Sequence, residues 1–290
     1  MLKWTVADIP DQSGRTIVIT GANSGLGEAT ARAFAGRGAS IVLACRNVAK
    51  GEAAAARMTG EVTVRHLDLA DLASVRKFAA ETDAIDVLVN NAGVMAIPQR
   101  RTADGFEMQI GTNFLGHFAL TGLLLPKIAD RVVTVSSNMH RMGRVDVDDL
   151  NWQRRRYRRW AAYSQSKLAD LMFALELARR LERNGSAVRS VAAHPGYADT
   201  ALGSHTGSIQ DRLIGLGNRL LAQSADQGAL PPLYAATMPD VRGGEYFGPS
   251  GLIQLRGYPT RVGSSRRSRD TATAMRLWEA ARALTGVAFL

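Results

Sequence analysis

Thr16–Thr20, TIVIT, runs directly into Gly21-Ala22-Asn23-Ser24-Gly25-Leu26-Gly27, and Gly25–Arg37 reads as a helix. This strand–glycine loop–helix opening constrains the chain more than any other feature. β-Branched apolar residues favour extended backbone, and glycines let the next loop turn tightly and expose bare main chain. A helix starting there aims its unpaired N–H groups and positive dipole end at the same point. The unit is built to receive a pyrophosphate, with Gly21, Asn23, Ser24, Gly25, Leu26 and Gly27 as candidate contacts. A plain glycine-rich turn is the bland alternative; the position after a strand and before a helix argues for the cradle.

The pattern repeats down the chain. Ser40–Cys45, Val62–Leu69, Ile85–Asn90, Arg131–Ser137, Ala187–Ala193 and Glu245–Gly248 are further short apolar runs among helix-like stretches. Unbroken apolar runs, rather than strict alternation, mark parallel strands covered on both faces. The expectation is an α/β fold, one doubly wound Rossmann-type domain over 1–290 with a seven-stranded parallel sheet flanked by helices. Its core is assigned to 12–258, and 259–290 to a tail whose last helix, near Thr271–Leu284, ends at Gly286.

Composition closes several other routes. With 46% hydrophobic residues the chain is not disordered. Cys45 is the only cysteine, which excludes an internal disulfide or a multi-cysteine metal site and fits a reducing compartment. His66, His117, His194 and His205 have no zinc-like spacing, so no metal is expected. The most apolar stretch, Phe118–Leu125, stops at Pro126, far short of the roughly 20 residues of a membrane span. Asp8 and Pro10 stand where a signal peptide is apolar. A cytoplasmic protein is the expectation.

Three signatures then occur in order: TGANSGLG at Thr20–Gly27, NNAG at Asn90–Gly93 and YSQSK at Tyr163–Lys167. Together they resemble the short-chain dehydrogenase/reductase family over residues 12–258. ACRN at Ala44–Asn47, the long segment before Tyr163, and HPGYADT at His194–Thr200 resemble its retinol dehydrogenase branch, with protochlorophyllide-reductase-like and WW-domain oxidoreductase relatives. The resemblance implies hydride transfer with a nicotinamide cofactor and a catalytic tetrad of Asn113, Ser137, Tyr163 and Lys167. It puts Asp68-Leu69 beside the adenine and Asn91-Ala92-Gly93 beside the ribose. Pro195, Gly196, Tyr197 and Ala198 fall near the nicotinamide carboxamide, and Thr200 near the carboxamide or pyrophosphate. It also implies a homo-oligomer, a dimer through the helix bearing Tyr163, and a substrate lid over 200–222. Without the resemblance, Asp68 and Thr200 are helix caps, Leu69 is core and the lid is a surface helix.

The proton chemistry has its own logic. Tyr163 and Lys167, four residues apart on an expected helix Trp160–Leu181, share a face. A nearby ammonium lowers a phenol from its usual pKa of about 10, making Tyr163 an acid or base near neutral pH. Lys167 is also assigned to the nicotinamide ribose, and Asn113 to a water-linked path from Lys167 to solvent, as in the family. Ser137, preferred to Ser136 by the family pattern, is assigned to the substrate oxygen, where a donor stabilises developing charge. His140 lies close enough to touch substrate, but such a histidine more often packs a loop.

At the end of the second strand an acid would bind the adenosine ribose and repel a 2′-phosphate. Cys45 occupies that slot and Arg46 follows it, a pairing that favours the phosphate and therefore NADP(H). Lys50 is read as a solvated helix residue. The formal charge of +10 agrees with a phosphate-bearing ligand without requiring one. Asn151–Trp160, NWQRRRYRRW, carries five arginines and three aromatics. Such a run suits a solvated face, an anionic substrate or membrane, or single-stranded nucleic acid; the last is the least favoured. Ile209, Leu213, Ile214, Leu216, Leu220 and Leu221 in the expected lid point to a lipophilic carbonyl or alcohol as substrate. The reading is an NADP(H)-dependent oxidoreductase, with a non-catalytic NADP(H)-binding sensor or scaffold as the alternative.

Overall fold

A computed structural model describes residues 3–197 and 223–290. Strands β1 (Thr16–Thr20), β2 (Ser40–Cys45), β3 (Val62–His66), β4 (Ile85–Asn90), β5 (Ile128–Val135), β6 (Arg189–Ala193), β7 (Tyr246–Pro249) and β8 (Pro259–Arg261) form one sheet. Their order is β3-β2-β1-β4-β5-β6-β7-β8. Helices α1 (Gly25–Ala35), α2 (Val48–Ala55) and α3 (Leu72–Ala80) connect the first four strands. A short α4 (Met108–Ile110), a π turn over Gly111–Leu115 and α5 (Gly116–Leu124) lead to β5, and α6 (Arg159–Arg183) leads to β6. Helices α7 (Ala225–Thr237) and α8 (Thr271–Thr285) follow.

Strand residues alternate between two cores. Val18, Leu88 and Val132 face Phe78 of α3, Phe118 of α5, Phe173 of α6 and Trp278 of α8. Ile17, Ile19, Val87, Val89, Val133 and Val135 face Phe34 of α1, Ala54 of α2 and Leu233 of α7. Both layers are apolar, which is why the strands read as unbroken hydrophobic runs. Arg131 is buried within β5. Its guanidinium donates to the carbonyls of Ala235 (2.9 Å) and Met238 (3.1 Å), so a cation finishes α7 where orphan carbonyls collect.

Among the described residues the sheet has eight strands rather than the expected seven, and the eighth is antiparallel. β8 comes from the segment expected to be a tail. Only a short loop separates it from β7, too little for a crossover, so the chain can return only antiparallel. The pairing covers the open edge of β7, and Val262 N donates to the Tyr246 carbonyl at 2.8 Å. Helix α8 likewise belongs to the core, and it ends at Gly286 with φ +66, as the sequence predicts. Trp278 stacks 5.9 Å from Phe173, meets Phe118 at 5.1 Å and Phe289 at 4.7 Å, and has Arg180 Cζ 4.2 Å above its ring.

Trp278→Ala should therefore destabilise the whole protein by about 3–5 kcal/mol, measured by urea unfolding, because it removes a buried aromatic hub. A loss below about 1 kcal/mol, the range of a surface change, would show that 259–290 is peripheral after all.

Candidate active site

The winding direction reverses between β1 and β4. At such a switch the loops after neighbouring strands diverge and leave a crevice at the strands' carboxyl ends. Gly21–Ser24 leaves β1 on one side, and Asn91-Ala92-Gly93 leaves β4 on the other. Gly21 has φ +65, and a Cβ there would stand 2.9 Å from Ala92 Cα. At Gly27 a Cβ would meet Asn91 Nδ2 and the Gly21 carbonyl, each at 2.5 Å. Any side chain at either position would force the loops apart. Ser24, the N-cap of α1, makes no side-chain cap bond, so it does not compete for the first-turn amides. Leu26 turns into the core, while Asn23 and Gly25 stay half-buried at the crevice. A bare-backbone cradle at an uncapped helix start fits a dinucleotide pyrophosphate.

Thr20 locks this arrangement. Its Oγ1 accepts the N–H of Asn91 and of Ala92, both at 2.9 Å, and Asn91 Nδ2 donates to the Thr20 carbonyl at 2.8 Å. Thr20 Oγ1 also lies 2.9 Å from His117 Nε2, nearer than the alternative acceptor Val89 O at 3.4 Å. On the far side His117 Nδ1 faces the Asn113 carbonyl at 2.7 Å. A carbonyl only accepts, so Nδ1 carries the proton and Nε2 accepts from the Thr20 hydroxyl. Burial holds the His117 pKa down at about 3, which keeps the ring neutral.

Asn113 lies in the π turn. Its Nδ2 donates to Val94 O (3.0 Å) and to Ser166 Oγ of α6 (2.8 Å), while its Oδ1 accepts from Val94 N (2.8 Å). It thus ties the loop after β4 to the helix carrying Tyr163 and Lys167, and its main-chain carbonyl is already engaged by His117. Gly93 sits between them: a Cβ there would be 3.2 Å from Asn113 Oδ1 and 3.7 Å from Lys167 Nζ.

Tyr163 and Lys167 are buried on one face of α6. Lys167 Nζ donates to Val135 O at 3.0 Å and to Asp170 Oδ2 at 2.9 Å. Burial pulls the ammonium's pKa down, but Asp170 and Tyr163 outweigh it, so Lys167 is held above its usual value and charged. Burial lifts Asp170 to about 6 against the pull of Lys167, and the pair is ionised on both sides at neutral pH. The Tyr163 phenol is raised by burial, lowered by Lys167 and by the Ser137 hydroxyl near it, and raised again by Asp170. The expected lowering by Lys167 is present; burial exceeds it.

Ser136 and Ser137 part company. Ser136 Oγ donates to the Lys167 carbonyl at 2.7 Å and is buried, whereas Ser137 is half-exposed beside the Tyr163 phenol. His140 packs its loop: Nδ1 donates to Ser137 O at 2.7 Å, and Nε2 accepts from Ser265 N at 3.3 Å. That leaves neither nitrogen for a substrate. Gly196 N donates to His194 Nδ1 at 3.1 Å, and Pro195 O accepts from Gln223 Nε2. Tyr197 N donates to Leu255 O at 2.9 Å. Ala198, Thr200 and the expected lid at 200–222 lie outside the described residues.

At the end of β2, Cys45 is buried and Arg46 exposed, without a hydrogen bond or ion pair among the described residues. Asp68 Oδ1 accepts from Ala70 N at 2.9 Å, while the cap of α3 is Asp71, not Asp68. Leu69 belongs to the core. The arginine run is partly structural. Arg155 stacks 3.8 Å over Trp152 and pairs with Asp149 at 3.2 Å, and the Tyr157 hydroxyl lies 3.1 Å from two acceptors, Glu107 Oε1 and Ile97 O. Trp160 remains exposed, with its ring 6.3 Å from that of Tyr163. It lines a pocket of about 460 Å³ with Met139, Met142, Ala161, Arg158 and Arg159.

Thr20, His117 and Asp170 join the site although no motif singles them out as participants. Only Asp170 carried a signal, an acid one turn after Lys167 among Leu168, Leu171 and Met172. Among the described residues no helix is long and apolar enough to cross a membrane.

The family model for short chain dehydrogenases matches residues 15–210. Retinol dehydrogenase 13 of Homo sapiens is 45% identical over 94% of this chain and 85% of its own length. Polyprenol dehydrogenase of Mus musculus is 39% identical over 96% and 86%, respectively. Among solved structures, an uncharacterized protein from Mycobacterium paratuberculosis is 52% identical, covers 100% of both chains and has a TM-score of 0.88. A protein assigned as an NAD(P)-dependent gluconate 5-dehydrogenase from Beutenbergia cavernae, with NADP bound at low occupancy, is 25% identical. The match covers 81% of this chain and 92% of that one, with a TM-score of 0.60.

Acid should destabilise this site first. Burial holds His117 and His194 at about 3 and His140 at about 4, each with one ring nitrogen donating and the other accepting. Their folded values are depressed, so the stability they confer is present above about pH 6.5 and lost as pH falls toward those values. Each histidine costs about 1.4 kcal/mol per pH unit in that window, and Asp170, raised instead, offsets about one of the three below pH 6. Urea unfolding should show a steep net loss of stability between about pH 6.5 and about pH 5. A flat profile over that range would contradict the buried neutral imidazoles.

Proposed function

The chain belongs to the short-chain dehydrogenase family, close to its retinol dehydrogenase branch, and from that membership we propose an NADP(H)-dependent oxidoreductase acting on a lipophilic alcohol or carbonyl, with Tyr163 as proton donor and acceptor. The observation that carries the reading is the Tyr163 phenol beside Ser137 and the Lys167 ammonium, which faces Gly93 in the same loop whose Ala92 packs on Gly21. NADP(H), when bound, supplies or takes the hydride at the substrate carbon. The protein does the rest. Gly21 to Gly27 and the first turn of α1 receive the pyrophosphate, and Arg46 receives the 2′-phosphate beyond the neutral Cys45. Asp68, Leu69, Asn91, Ala92 and Gly93 flank the adenosine and ribose, Pro195, Gly196, Ala198 and Thr200 the nicotinamide end. In reduction the proton passes from the Tyr163 oxygen to the substrate oxygen while Ser137 donates a hydrogen bond to it; in oxidation it returns.

The pocket of Met139, Met142, Trp160 and Ala161 beside this centre supports an apolar substrate, and its Arg158 and Arg159 favour one with a polar or anionic end. Two relatives named for lipid alcohols, retinol and polyprenol, support the same class.

Tyr163→Phe should lower turnover of lipophilic aldehydes and ketones by at least about 100-fold while NADPH affinity stays within a few-fold, since the phenol oxygen serves proton transfer. Wild-type rates in that variant would remove Tyr163 from the mechanism. NADPH binding without turnover of any compound tested would favour a sensor instead. Fluorescence titration tests the cofactor: Arg46→Ala should weaken NADPH by about 10- to 150-fold and leave NADH nearly unchanged. Equal losses for both would make Arg46 a surface charge and the NADP(H) assignment wrong.

A further inference from the structure

We propose that Asp170 is a positioning residue, whose carboxylate fixes the Lys167 ammonium against β5 and limits how much of its positive charge acts on the Tyr163 phenol; this rests on the proton-transfer role given to Tyr163 above. An ammonium has three N–H donors. Two are spent, on Val135 O at 3.0 Å and Asp170 Oδ2 at 2.9 Å, which leaves one for the crevice side, where Gly93 lies. A lysine side chain held at two points cannot sweep through its rotamers, so the third donor keeps one direction.

Stability is a poor reason for such a pair. A buried ion pair pays desolvation on both ions, and an apolar pair of the same volume often does as well. Asp170 is 1% exposed, and Leu168, Leu171 and Met172 on either side of it in the sequence are core residues. Its Oδ1 has no hydrogen-bond partner among the described residues, and neither do the buried Asn90 Oδ1 and Thr134 Oγ1. Asn90 pairs with Thr134 across β4 and β5, and both belong to the sheet face of Leu88 and Val132, which α5 and α6 cover. The layer between sheet and α6 is therefore polar at the level of Lys167, unlike the core below it.

The Tyr163 phenolate is attracted by Lys167 and repelled by Asp170, so a net-neutral pair lowers the phenol less than the lysine alone would. Among the described residues His117 of α5 also faces the pair and is neutral, Tyr246 of β7 faces Tyr163 and is held protonated by burial, and β5 gives the Val135 carbonyl. Asp170 thus trades phenol acidity for a fixed lysine.

Asp170→Asn retains an acceptor for Lys167 and removes the charge; Asp170→Ala removes both. The two are measured in parallel, so either folded variant gives an answer. In the cofactor-free protein, the part of the tyrosinate absorbance change lost in Tyr163→Phe isolates this phenol among the six tyrosines. Its midpoint should fall by about one pH unit in both variants, and the matching limb of the kcat/KM profile should move with it. Asp170→Ala should also weaken NADPH several-fold, and Asp170→Asn should restore that affinity. A merely structural carboxylate would lower Tm and leave the midpoint in place, and an unmoved midpoint in a folded variant overturns the proposal. Wild-type turnover in Tyr163→Phe would instead overturn the functional reading, with the absorbance titration still reporting on Asp170.

Discussion

The Thr20 hydroxyl accepts two backbone amides from the loop after β4 and gives its own proton to His117. Three separate segments, the end of β1, the Asn91–Gly93 loop and α5, are set by that one oxygen. The contact that demands glycine at 21 exists because the loop after β4 is drawn this close, and at 27 that loop adds Asn91 Nδ2 to the crowding from the Gly21 carbonyl. A buried amide left without its acceptor costs about 1–3 kcal/mol, so loosening this joint is expensive, and the crevice keeps its shape before any ligand arrives. Preorganisation of this kind spares a binding site the cost of ordering its loops.

From His117 the restraint passes to the Asn113 carbonyl, and from the Asn113 side chain to Ser166 on α6. It ends at Lys167, fastened to β5 through Val135 and to its own helix through Asp170. Neutral groups carry geometry along this path and charge appears only at its end. That division suits proton transfer: the scaffold does not titrate near neutral pH, while the phenol's balance is struck locally between burial, one cation and one anion.

Much of the sheet is legible in the sequence because its strands are buried on both faces. Thr16–Thr20, Ser40–Cys45 and Ile85–Asn90 coincide with strands end to end. β5 begins at Ile128, before the apolar run, because Asp130 and Arg131 find partners in Arg15, Arg189 and the end of α7 that no local pattern displays. Helix α7 holds Pro231-Pro232, residues that argue against a helix, and tertiary burial against the sheet decides otherwise. β8 has three residues and no apolar pattern; only the edge of β7 explains it. In the site, Tyr163, Lys167 and the glycines announce themselves by spacing. Thr20, His117 and Asp170 do not, since their importance lies in contacts between segments up to 97 residues apart, as Thr20 and His117 are.

Hydride transfer is what separates a working dehydrogenase from a protein that only binds its cofactor. NADPH carrying deuterium on the transferring face of its nicotinamide, mixed with the protein and a lipophilic aldehyde, tests it directly by the mass of the alcohol formed. One deuterium per alcohol, bound to carbon, is the result expected of a working dehydrogenase. NADPH that binds yet passes no deuterium to any carbonyl compound would contradict it.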